Sequence, residues 1–303
     1  MKKGFLYRFF LDFNNEYLKK IINLALPVML GTSVGQLNVL IDRTIASGIV
    51  VGGISALNYA NRLNGFIQDI FANSISTVMY PLITKMAVLE DVKGFKRVIG
   101  ENINLINVFL VPATVGLFIF SVPITKLVYG RGAFDGRALV LTSGALLFYS
   151  LGMTGVGAGT ILSRAFYSLQ DTRTPMINSV YAVILNIILN ITLSKFMGIS
   201  GIAFATSISN LFCTGLLFLS LKKKIGPYGM KDMVYTFLKV VFTSLVMGVI
   251  ARLFYIKFYV MLGGVFSLLS SIFVGAAVYF IIILFMRIKE IDFILSKVRG
   301  YFR

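Results

Sequence analysis

The stretch Tyr259–Met286, YVMLGGVFSLLSSIFVGAAVYFIIILFM, contains no Asp, Glu, Lys or Arg. As an α-helix rising about 1.5 Å per residue it would be about 42 Å long, more than the roughly 30 Å of a bilayer's hydrocarbon core. Working outward, seven further apolar stretches of spanning length lie at about 21–47, 54–87, 102–127, 138–167, 175–195, 199–221 and 233–256. Between them fall Gly48, Gly52 and Gly53, the charged loop Glu90–Glu101, the Gly-rich turn YGRGAFDG (Tyr129–Gly136), the polar turn QDTRTP (Gln170–Pro175), the tight Gly198–Gly201 and the basic Lys222–Lys231. The expected fold is an all-α polytopic membrane protein of about eight transmembrane helices.

Composition agrees. Of 303 residues, 57% are hydrophobic and 14% charged, where soluble domains run at about 45–50% and about 25%. One cysteine, Cys213, makes no internal disulfide scaffold and reads as a small core residue. There is no histidine, the commonest general base and a frequent metal ligand.

The 29 Lys and Arg exceed the 12 Asp and Glu by a net +17. In a soluble protein that would point to nucleic acid; in a membrane protein it reports orientation. With the N-terminus in the cytoplasm, the inner segments are the N-terminal arm, Lys85–Arg97, Arg164–Arg173, Lys222–Lys231 and Arg287–Arg303. The outer ones keep only Arg43, Lys126, Arg131, Arg137, Lys195, Arg252 and Lys257. Both termini are therefore expected in the cytoplasm, with residues 1–20 a basic amphipathic segment on the membrane surface and 287–303 a basic tail. No nucleic-acid partner is called for.

Charged and polar residues at bilayer depth are costly and mark candidate sites. They are Asp42 in the first span, Arg62 and Asp69 in the second, Asn186 and Asn190 in the fifth, Thr206 in the sixth and Lys239 in the seventh. At 1.5 Å per residue, Asp42, Arg62, Asn186, Asn190 and Thr206 share a layer roughly 8–14 Å below the outer ends of their spans. Asn186 and Asn190, four apart, share a helix face. With Asp42 and the Thr206 hydroxyl they form a hard-oxygen set suited to an alkali cation such as sodium; the alternative is hydrogen bonding between helices. Arg62 suits an anionic headgroup, or else a structural ion pair with Asp69 or Asp42. Asp69 reads as a partner for a cation, and Lys239 as a snorkelling side chain. No His/Cys/carboxylate cluster or Walker loop is present, and YGRGAFDG lacks a P-loop lysine, so the chain does not read as an enzyme.

Four motifs in order carry a family resemblance: LPVMLGTSVGQLNVLIDRTIAS (Leu26–Ser47), ALNYANRLNGF (Ala56–Phe66), YGRGAFD (Tyr129–Asp135) and FYSLQDTRTP (Phe166–Pro175). They resemble the MviN/MurJ-type lipid II flippases of the multidrug/oligosaccharidyl-lipid/polysaccharide exporter superfamily. Members have two six-helix lobes and a terminal helix pair. The resemblance therefore implies that residues 21–221 are a second lobe and 222–286 the terminal pair, whose hydrophobic groove takes a lipid tail. A first, N-terminal lobe would be missing. It further implies alternating-access transport of undecaprenyl-linked lipid II across the bacterial cytoplasmic membrane, coupled to a cation. Arg62 falls on the family's cavity arginine, although Gly65 stands where some members have an acid. Asp42, Asn186, Asn190, Thr206 and the Ile202 carbonyl fall on a sodium site, with Asn190 in place of Asp. The competing readings are half of a related polysaccharide or drug/cation exporter, and a non-transporting membrane scaffold.

Overall fold

The computed structural model describes residues 15–286. The interfacial segment expected over 1–20 lies almost wholly outside them, and the basic tail at 287–303 entirely so. The chain runs α1 (Glu16–Ile49), α2 (Gly53–Gln68), a π-helical turn (Asp69–Asn73), α3 (Ser74–Val88), α4 (Val92–Tyr129), α5 (Gly136–Leu151), α6 (Met153–Ser168), α7 (Arg173–Met197), α8 (Ile199–Ile225) and α9 (Met230–Phe285).

Among the described residues, six helical segments are long and apolar enough to cross a membrane: α1, α4, α7, α8 and the two parts of α9, Met230–Met261 and Gly263–Phe285. α5 and α6, bent by 45° at their junction, make a seventh as one broken span. α2, the π-turn and α3 run on without a non-helical break and cover the second expected span in pieces of 16, 5 and 15 residues. One boundary is corrected. The division expected near residues 256–259 falls at Gly263, where φ is +73°. Lys257 is charged but keeps the helical path; only the glycine backbone adopts the left-handed conformation that turns the chain.

Helix starts are built by short acids. Asp91 accepts from Gly94 N at 2.9 Å, Asp135 from Ala138 N at 2.8 Å, and Asp171 from Thr174 N at 3.0 Å, satisfying amides that a first turn leaves unpaired. The Asp171 carboxylate is also bound by Lys224 at the end of α8, at 2.5 Å. Burial pushes its pKa up, but the Lys224 and Thr174 hydrogen bonds outweigh this and hold it below the usual range.

The main core gathers Ile99, Ile103, Ile106 and Leu110 of α4, Leu146 of α5, Ile161, Leu162 and Phe166 of α6, and Ile202, Leu217 and Leu221 of α8. Leu37, Ile184, Ile188, Leu245, Val249 and Phe273 of α1, α7 and α9 stay exposed, as lipid-facing residues should. Helices approach closely where side chains are small. A Cβ on Gly157 would lie 2.4 Å from Leu110 Cδ1, and one on Gly155 2.9 Å from Leu211 Cδ2. Thr214 Oγ1 donates to Gly155 O at 2.7 Å. At the α5–α6 bend Ser207 Oγ donates to Phe148 O at 2.6 Å, occupying a carbonyl at the break. The two parts of α9 pack on α4 through Val108, Val111, Val240, Met247 and Tyr279. Lys239 Nζ, 4.5 Å over the Tyr235 ring, donates to Met286 O at 3.2 Å and ties the two ends of the pair.

The α7–α8 hairpin gives a test. A Cβ on Gly201 would sit 2.4 Å from Leu193 O, a backbone atom, whereas one on Gly48 meets open space. Gly201→Ala is expected to destabilise the protein by about 1–3 kcal/mol, and Gly48→Ala to be neutral or slightly stabilising. Thermal unfolding in detergent checks both.

Candidate functional site

The polar layer closes around one carboxylate. Asp42 faces inward from α1 at 6% exposure, while Asn186 and Asn190 of α7 are 1% and 0% exposed. Asn190 Nδ2 donates to Asp42 Oδ1 at 2.6 Å and to Asn186 Oδ1 at 2.7 Å. Thr206 Oγ1 lies 3.2 Å from Asp42 Oδ2 and 3.0 Å from Ile202 O; its one hydrogen serves either. Asn186 Nδ2 reaches Thr206 Oγ1 at 3.3 Å. With the Asn186 amide turned over, its nitrogen instead donates to Asp42 Oδ1 at 3.1 Å and Asn38 Oδ1 at 2.9 Å, and its oxygen accepts from Thr206 N at 3.1 Å. Asn190 Oδ1 is buried with no hydrogen-bond partner among the described residues. Asp42, Asn186, Asn190, Ile202 and Thr206 are thus brought together from three helices. A cavity of about 300 Å³ opens beside them, lined by Asn38, Arg43, Asn58, Asn61 and Asn210. Arg43 donates to Asn58 Oδ1 at 3.1 Å, tying α1 to α2.

Arg62 stands apart from this cluster. Asn58, Arg62, Asp69, Asn73 and Thr77 are all exposed and follow one another along α2, the π-turn and α3. From Asp69 the spacing is four residues, which drifts about 40° per step around an α-helix. The π-turn takes up the extra residue and holds the row on one face. The ion pair expected between Arg62 and Asp69 is not formed: among the described residues the only salt bridges are Arg97–Glu101 and Lys224–Asp171. Two helical turns, about 10 Å, separate the pair. Asp69 instead accepts from Asn73 Nδ2 at 2.7 Å. At the α3 end of the row Arg164 meets Thr77 Oγ1 at 3.5 Å and lies 5.2 Å over the Tyr80 ring.

Beside the π-turn runs an apolar groove of about 350 Å³ between α4 and both parts of α9. Phe71 and Phe109, stacked at 5.2 Å, form one wall, and Gly248 and Gly275 line another.

Asn38, Asn58, Asn61 and Asn210 were not legible as site residues. Asn38 had a signal, since it precedes Asp42 by four residues and so shares its face. The others stand in apolar stretches where an asparagine is as readily an interhelical hydrogen bond.

The family model described as "Lipid II flippase MurJ" matches residues 1–274. The probable lipid II flippase MurJ of Vibrio cholerae is 33% identical over 221 residues, 73% of this chain and 42% of that protein. The probable lipid II flippase MurJ of Thermotoga maritima is 30% identical over 266 residues, 88% of this chain and 52% of that protein. The structure "Lipid II flippase MurJ, inward closed conformation" superposes with a TM-score of 0.74 at 29% identity, over 89% of this chain and 55% of that one. An outward-facing MATE-family multidrug resistance transporter shares the fold, with a TM-score of 0.58 at 20% identity over 81% of this chain and 56% of that one. The chain spans about half the length of the curated relatives it matches.

Asn190→Ala removes both donors from the buried cluster and leaves Asp42 Oδ1 short of a partner. A loss of about 1–3 kcal/mol is expected, read by thermal unfolding, whereas Thr192→Ala, whose hydroxyl bonds only its own helix at 3.0 Å, should change little.

Proposed function

This chain belongs to the lipid II flippase MurJ family, and we propose that it acts as the second lobe and terminal helix pair of a carrier for lipid II. The family is one of transporters, not of enzymes. In this reading residues 21–221 form the lobe and 222–286 the pair, in the bacterial cytoplasmic membrane with both termini inside. A carrier rocks two bundles about a central site, so a first lobe, supplied separately or by more chain, would cover the polar face of α2 and α3.

The observation that carries the reading is a pair of unlike surfaces on the two faces of one helical segment. An uncovered polar row holding Arg62, without a carboxylate partner among the described residues, runs along one face of this segment, while Ile67 and Phe71 on its other face line an apolar groove that reaches the terminal pair. The substrate is amphiphilic in the same way. A guanidinium grips a pyrophosphate bidentately, and the groove would take the polyprenyl tail of the undecaprenyl-pyrophosphate-linked disaccharide-pentapeptide. Alternating access would carry the headgroup from the inner to the outer leaflet while the tail stays in lipid.

Asp42, Asn186, Asn190, Thr206 and the Ile202 carbonyl would hold a sodium ion, which would supply a positive charge to offset a buried carboxylate. The residues fit such an ion. Asn190 Oδ1 is an orphaned buried acceptor. These groups come from α1, α7 and α8, so Asp42 couples the packing of α1 to the state of the site.

Two experiments test the reading. In cells depleted of their flippase, the chain alone should not restore growth, the chain with a supplied first lobe should, and Arg62→Ala in the reassembled carrier should lower transport at least tenfold. Rescue by the chain alone, or full transport by Arg62→Ala at normal expression, overturns it. For the ion, sodium chloride should raise the unfolding temperature by a few degrees over choline chloride, and Asp42→Asn should abolish the difference. An equal sodium response in wild type and Asp42→Asn removes the assignment.

A further inference from the structure

A second apolar cleft, of about 460 Å³, lies between α4, α6, α8 and the beginning of α9. It shares no lining residue with the groove beside the π-turn or with the cavity at Asp42. Two rows of side chains lead from it to the same end of the molecule. On α8, Leu211, Gly215 and Phe218 line the cleft, and Lys222 stands eleven residues beyond Leu211, about three turns on and on the same face. On α4, Ile103 and Asn107 line it, and Lys96 lies seven residues before Ile103, two turns back on that face. Lys96 is half-buried, and its Nζ would be 3.6 Å from a Cβ on Gly226, which places the ammonium at the α8–α9 joint.

Two of the neighbouring cations are committed, whereas Lys93, Lys223 and Lys231 are in no ion pair among the described residues. Arg97 pairs with Glu101 and Lys224 with Asp171. Among the described residues Lys96 and Lys222 have no carboxylate within salt-bridge distance. An open apolar cleft at hydrocarbon depth loses dispersion contacts along its lining unless a chain fills it. A hydrocarbon slot ending at two uncommitted ammonium groups complements one molecule in reach: an amphiphile with an acyl chain and a phosphate.

We propose that this cleft holds an acyl chain of an anionic glycerophospholipid, with its phosphate between Lys96 and Lys222. The bound lipid wedges α8 and α9 against α4 on the side of the lobe away from the polar row, and it belongs to the leaflet at the basic end of the helices.

The test is native mass spectrometry of the full chain in detergent, titrated with phosphatidylglycerol and phosphatidylcholine of identical acyl chains. Wild type should bind the first phosphatidylglycerol at least tenfold more tightly, each lysine contributing about fivefold. Lys96→Gln with Lys222→Gln should bring the ratio towards one without weakening phosphatidylcholine. A Cβ at Gly215 meets open space, so Gly215→Leu should fold normally and weaken both lipids together. Circular dichroism and gel filtration confirm that each variant is folded. An undiminished preference in the lysine double variant overturns the proposal, as does unchanged lipid binding in Gly215→Leu. A chain dimer that Gly215→Leu dissolves would place a second copy in the cleft and overturn it equally.

Discussion

A carboxyl group in hydrocarbon has no solvent to turn to, and the arrangement of α1, α7 and α8 follows from what Asp42 requires. Left bare and ionised it would cost several kcal/mol. The protein surrounds it with short amide and hydroxyl side chains, which reach it only if α1 lies against the α7–α8 hairpin at that level. Asn190 binds Asp42 Oδ1 across 148 residues of sequence, and Thr206 meets Oδ2 across 164. The hairpin itself is held tight by Gly198, with φ at +57°, and by the absence of a side chain at Gly201. Polar chemistry and close packing are therefore one constraint here: widening the hairpin would withdraw the amide and hydroxyl from the acid.

The same scarcity of solvent governs the backbone. Each departure from a straight α-helix frees amides or carbonyls that lipid cannot satisfy, and the departures come with local repairs. The π-turn is closed by Ser74 Oγ donating to Asp69 O at 3.1 Å. The α5–α6 bend is stitched by Ser207 of α8. In α4 the non-helical residue is Phe120, three before Pro123, where the proline's missing N–H would have broken the ladder in any case. These irregularities fall on the helices that flank the polar row, the cavity and the groove. A straight helix presents one face; a broken one can carry a row of polar groups past a turn and still bury its back.

What could be read from the sequence was what hydrocarbon imposes one residue at a time. The charge-free run before Met286 had to be a spanning helix, and Asp42, Asn186, Asn190 and Thr206 had to share a layer, because rise per residue fixes depth. What could not be read depended on angle and on partners from elsewhere in the chain. Depth does not say which way Asp69 faces, and the bond it makes is to Asn73, four residues along its own helix. The π-turn that keeps Asp69, Asn73 and Thr77 in line adds a single residue to one turn, which apolar periodicity is too coarse to detect. The break at Gly263 was misplaced because Arg252 and Lys257 looked like an edge. Long cationic side chains can leave the hydrocarbon while the backbone stays in it.

Asn190 bears on which ion the proposed site would suit. The resemblance to the flippase family places an acid at that position, giving two carboxylates at one site. In this chain Asp42 is the single acid of the cluster, and the remaining groups are amides, a hydroxyl and a carbonyl. A monovalent cation brought to one carboxylate leaves no net charge, so the complex escapes most of the desolvation penalty that either partner suffers alone. A divalent cation would leave a buried positive charge, and an empty site leaves a buried negative one unless a proton takes its place. The amide at 190 also does what a second acid could not. Its nitrogen donates to Asp42, holding the cluster together, while its oxygen has no partner among the described residues.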